Sequence, residues 1–135
     1  MVKAGEVYDY PYLWKREQLG QETEGRKPRP CAFIAAVADQ AGQVHLFILA
    51  ITGSFGGAGD AIEIPAIEKR RAGLETQKQL WVVIDEYNHD IFGKSFYVVP
   101  SQKIGQFSPA FSHRVLARFK ALAATKTVSS VRREL

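Results

Sequence analysis

Residues 30–37 (PCAFIAAV) and 43–51 (QVHLFILAI) are continuous apolar runs, separated by little more than Asp39-Gln40-Ala41-Gly42. A short apolar run bounded by turn residues is a strand buried on both faces, and two joined by a tight turn are a hairpin. The rest of the chain must supply the layers that cover this hairpin. Residues 5–10 (GEVYDY) alternate, are rich in β-formers, and stop at Pro11. Residues 61–64 read as a short strand closed by Pro65, residues 79–85 (QLWVVID) as another apolar strand, and residues 96–99 as a last short one.

One stretch has a different period. Ser108-Pro109 is a helix start, with serine as cap and proline at the first helical position. Phe111, Val115, Phe119 and Leu122 then recur at helical spacing, with Leu116 and Ala123 beside them. That stripe predicts an amphipathic helix lying on a sheet. Beyond Ala124 the chain is rich in Thr, Ser and Arg and is expected to fray. The reading is a mainly β protein, a small β-barrel with a C-terminal α-helix. It forms one domain over residues 1–135, with a core over about 4–124 and a basic tail over 125–135.

Composition narrows the function classes. With 46% hydrophobic and 24% charged residues the chain is an ordinary globular one. Cys31 is the single cysteine, which excludes an internal disulfide and a multi-cysteine metal cage. No apolar run approaches the ~20 residues of a bilayer span, and no signal-peptide core is visible. A cytoplasmic protein without membrane attachment is expected. The net charge of +4 is unevenly spread. Arg114, Arg118, Lys120, Lys126, Arg132 and Arg133 stand against Glu134 alone, and Lys15, Arg16, Arg26, Lys27 and Arg29 form a second cluster. Such clusters are either solvated faces or a surface for a polyanion.

Several tempting motifs fail. The loop Gly53-Ser54-Phe55-Gly56-Gly57-Ala58-Gly59 follows a strand but leads into another strand, so no helix N-terminus would face a phosphate. Gly93-Lys94-Ser95 lacks the upstream glycine of a phosphate-binding loop. His45, His89 and His113 share no metal-ligand spacing and no acidic cluster, so neither metal nor cofactor is expected. His45 reads as a packed or hydrogen-bonded histidine. Cys31 opens a buried run, where cysteine behaves as a small hydrophobe.

The segment 11–29 is long for a loop in a small domain, and such loops are usually functional or disordered. Within residues 20–30 (GQETEGRKPRP), Glu22 or Glu24 could take a proton. Arg29, held between Pro28 and Pro30 at a strand start, could grip two phosphate oxygens. The plain alternative for this stretch is a charged, solvated loop.

This order of elements resembles the MazF/PemK family of toxins. The shared pattern is a first strand near Gly-Glu-Val, a loop with glycine and acid, then Arg-Pro and an apolar strand. Ala50-Ile51-Thr52-Gly53-Ser54 is similar to the family's second hairpin strand, which ends in threonine. Ala72-Gly73-Leu74-Glu75 with residues 80–85, and Ile104-Gly105-Gln106-Phe107-Ser108 before the helix, continue it in order. Arg26, Lys27 and Pro28 intervene between Gly25 and Arg29 where the family commonly has one residue, which leaves Glu22 and Glu24 both open as the family acid. The resemblance implies an SH3-like β-barrel with a C-terminal α-helix, the toxin of a type II toxin–antitoxin system, a metal-independent endoribonuclease acting on single-stranded RNA as a homodimer. Its partner would be a cognate antitoxin. Arg29 would stabilise the phosphate, Thr52 would hydrogen-bond it, Glu24 or Glu22 would orient or deprotonate, and Arg26, Lys27 and Ser54 would contact RNA. The alternative is a catalytically silent barrel that binds nucleic acid or a protein.

Overall fold

In the computed structural model, residues 2–16, 27–57, 59–94, 97–125 and 127–133 are described. The protein is mainly β. Its elements are β1 (Glu6–Tyr10), β2 (Arg29–Ala38), β3 (Val44–Thr52), β4 (Ala61–Glu63), α1 (Ala66–Arg71), β5 (Trp81–Val83), β6 (Glu86–Ile91), a 3-10 turn (Pro100–Gln102), β7 (Lys103–Gln106), α2 (Pro109–Ala124) and β8 (Ser129–Arg132). Among the described residues, no helix is long and apolar enough to cross a membrane.

The hairpin β2–β3 is the spine. Its turn is held by the Asp39 carboxylate, which accepts from the Ala41 and Gln43 backbone N–H groups at 2.9 and 3.0 Å. β1 and then β7 add antiparallel on the β2 side. On the other side β3 serves two partners: its first half pairs β6 and its end pairs β5, which β4 extends. The eight strands form one sheet, antiparallel except for β6 with β8.

Alternation along the strands separates two apolar layers. Val7, Ala32, Leu49, Ile51, Val82 and Ile84 face the layer closed by α2 through Phe111, Val115 and Phe119. Ser108 caps α2 by accepting from the Phe111 N–H at 3.1 Å, as its position before Pro109 predicts. The opposite face carries Tyr8, Tyr10, Cys31, Phe33, Leu46, Ile48 and Ala50, covered by Tyr12 and Trp14 from the segment after β1. A hydrophobic layer on both faces explains why β2 and β3 read as unbroken apolar runs.

Two expectations need correction, and one strand was not expected. The tail beyond Ala124 does not simply fray, because residues 129–132 form β8 in a parallel pairing with β6. The strand expected over 96–99 is not formed at the described residues 97–99, which lead into the 3-10 turn. β6 itself is a strand that the hydrophobic pattern did not announce.

Candidate active site

Hairpin register assembles the site. Cys31 lies opposite Ala50 and Ala32 opposite Leu49. Continuing that register by two residues sets Arg29 across from Thr52, on the face that carries Cys31 and Ala50. Directly opposed side chains on one face lie close enough to act on one ligand. The Thr52 hydroxyl accepts from the Ser54 backbone N–H at 3.1 Å, which leaves its own hydrogen to donate.

A cleft of about 460 Å³ opens there, within the size range of small-ligand sites. Arg29, Thr52 and Ser54 line it, together with Trp14, Arg16 and the carboxylate pair Asp85 and Glu86. A second cleft of about 330 Å³ lies on the other side of Arg29 and Thr52, walled by Ile51, Leu74 and Leu80, with Glu75 and Lys78. The two residues thus stand on the ridge between a polar and an apolar hollow.

Trp14 organises the cations. The Arg16 guanidinium lies 4.9 Å and the Arg29 guanidinium 5.3 Å from its ring centroid. Among the described residues, Arg29 forms no ion pair, so its planar fork remains available for an anion. Cation–π contact with a buried indole orients a guanidinium without neutralising it. Trp14 is itself fixed from below. The Asn88 side chain copies a strand partner, accepting from the Leu13 N–H at 2.9 Å and donating to the Leu13 carbonyl at 2.8 Å. Arg133 donates to Asn88 Oδ1 at 3.1 Å and to the Pro11 carbonyl at 2.6 Å.

Glu86 is the most constrained acid of the cleft. Its Oε2 accepts from the Tyr12 hydroxyl at 3.1 Å and from the Lys15 backbone N–H at 3.0 Å. Burial pushes its carboxyl above the ordinary glutamate value, and neighbouring Asp85 adds to this, while those two hydrogen bonds and Arg16 oppose it. Asp85 accepts from the Asp60 N–H at 3.2 Å, and Asp60 in turn takes both its oxygens to Arg118 at 2.9 and 3.0 Å.

Of the residues singled out from sequence, Arg29, Thr52 and Ser54 converge on one cleft. Lys27 is exposed and is not part of its lining. Glu22, Glu24 and Arg26 lie outside the described residues. The sequence reading missed Trp14, Asp85 and Glu86, and had Arg16 only as one of a basic cluster. The C-terminal basic cluster divides: Arg133 is buried beneath Tyr97, 4.3 Å from its ring centroid, and Arg118 is spent on Asp60. His45 is hydrogen-bonded, as its place inside an apolar strand predicts: its Nδ1 lies 2.8 Å from His89 Nε2 and its Nε2 2.8 Å from Asp39 Oδ2. Cys31 is fully buried and its thiol is pushed far up by desolvation, which removes it as a nucleophile.

No family model matches the chain, and no curated protein matches it.

Proposed function

We propose that the protein is the toxin of a type II toxin–antitoxin system and cleaves single-stranded RNA in the cleft between Arg29 and Thr52. The observation that carries this reading is the Arg29 guanidinium, in no ion pair among the described residues, opposite the Thr52 hydroxyl at the rim of a cleft sized for a small ligand. In such a reaction the ribose 2′-hydroxyl attacks the adjacent phosphorus. The O2′–P bond forms, the P–O5′ bond breaks, and a 2′,3′-cyclic phosphate and a 5′-hydroxyl result. Charge builds on the equatorial phosphorane oxygens. A bidentate guanidinium and a hydroxyl donor, already positioned, stabilise that charge.

An SH3-like barrel is the finer form of the fold that goes with this function. It is supported by the close approach of β7, one end of the sheet path, to the residue after α1, the helix that follows β4 at the other end: a Cβ on Gly105 would lie 2.6 Å from the Ala72 carbonyl. A homodimer in the cytoplasm, silenced by a protein antitoxin, completes the proposal. The rival is a silent binding module, favoured by the carboxylates of Asp85 and Glu86, which repel phosphate from part of the same cleft.

The deciding experiment is incubation of the purified chain with a mixed single-stranded RNA in EDTA. The expected outcome is fragments with 2′,3′-cyclic phosphate ends. RNA that stays intact under every condition would make the silent module, binding nucleic acid or a protein, the better reading.

A further inference from the structure

Phosphate stabilisation by Arg29 and Thr52 leaves the proton of the 2′-hydroxyl without a destination among the described residues considered so far. Both side chains are donors in this role. The cleft lining offers two carboxylates, and their surroundings differ. Asp85 faces the Asp60 N–H and lies on the side of the Asp60–Arg118 pair. Glu86 is tethered through one oxygen only. Tyr12 and Lys15 both donate to Oε2, and Oε1 carries no hydrogen bond among the described residues. A carboxyl held by one oxygen, with the other open, has the geometry of a group that accepts a proton from a ligand.

Building on the ribonuclease reading, we propose that Glu86 is the proton-transfer group of the cleft, its free oxygen taking the 2′-hydroxyl proton as that oxygen attacks phosphorus. The O2′–P bond forms as the proton passes to Glu86 Oε1. The P–O5′ bond breaks, and the departing 5′-oxygen takes a proton from water. Glu86 then returns its own proton to solvent, so the protein ends as it began.

The surroundings tune this acid. The Tyr12 hydroxyl and the Lys15 N–H stabilise the carboxylate from the segment after β1, and Arg16 adds positive charge from the cleft wall. Asp85 opposes them from the preceding position, and burial outweighs the favourable contacts. The Lys15 ammonium is turned toward the Ser130 carbonyl of β8, at 3.4 Å. Glu86 must be ionised to act as the base. The acid limb of the pH–rate profile therefore lies above the ordinary glutamate value of 4.5.

The test measures kcat and KM against pH on a fluorogenic RNA for the full chain and for Glu86→Gln, with Glu22→Gln and Glu24→Gln in parallel. The glutamine keeps an acceptor for Tyr12 and Lys15. Glu86→Gln is expected to lower kcat by about 10²–10⁴, to leave KM nearly unchanged and to abolish the acid limb. Tyr12→Phe, which removes one donor to the carboxylate, is expected to keep the plateau rate and move the limb to higher pH. That shift would support the assignment even if Glu86→Gln failed to fold. If the parent cuts RNA and neither variant alters the limb, or if Glu22→Gln or Glu24→Gln removes it instead, Glu86 is not the base and the ribonuclease reading stands. If the parent cuts no RNA at any pH, both fall together.

Discussion

Trp14 decides how the site cations are held. An indole face positions two guanidiniums without cancelling their charge, so the arginines stay competent for an anion. Arg29→Ala should then cut the RNA cleavage rate by about 10²–10³, the usual cost of losing one stabiliser of transition-state charge. Arg29→Lys should restore only part of it, since lysine lacks the planar fork. Thr52→Ala should cost less, because it removes a single neutral donor. Initial rates, with circular dichroism to certify folding, check all three; a folded Arg29→Ala protein at the parent rate would sink the assignment. Arg29 could be found in the sequence because it stands between two prolines where a loop meets an apolar strand, and Thr52 through the likeness to the toxin family; the register that opposes them shifts by one residue between Phe33 and Ala35, which no local pattern announces. Glu86 could not be found, since its role depends on a contact with Tyr12 across 74 residues of chain.

Between elements, polar side chains do much of the joining. Glu68 in α1 accepts from the Ser108 N–H at 2.8 Å and from its hydroxyl at 2.7 Å, and pairs Arg71 at 2.8 Å. Burial pushes the Glu68 carboxyl up, but the Ser108 and Arg71 contacts together outweigh it and hold the carboxyl below its ordinary 4.5. A carboxyl lowered in the folded state stabilises above that value and loses its contribution as pH falls through the lowered one. Glu68→Gln should therefore destabilise by about 1–3 kcal/mol at neutral pH, with the gap to the parent closing in acid. Urea melts at several pH values test this; a gap independent of pH would refute it. Gly105→Ala should cost about 1–3 kcal/mol by forcing β7 away from Ala72, visible as a lower melting temperature. The elements missed from sequence share a cause. β6 (EYNHDI) buries Asn88 and Asp90, whose polarity is satisfied by Leu13 and by the Tyr10 hydroxyl at 2.7 Å. Polarity answered by distant partners carries no local period, so β6 and the parallel β8 were invisible while the capped helix and the hairpin were plain.

At the level of the whole molecule, the proposed dimer predicts a mass near twice the 15.1 kDa of the chain by light scattering at micromolar concentration. A single species at the chain mass would remove that part of the proposal. The wall of the cleft made by Trp14 rests on Asn88, and the carbonyl of Pro11 is held by Arg133, which lies 122 residues further along. Synthesis runs in one direction, so a nascent chain carries Arg29 and Thr52 long before it carries the residue that steadies the segment beside them. The hydrogen bonds by which Arg133 holds that segment can form only once the end of the chain, past β8, has been made.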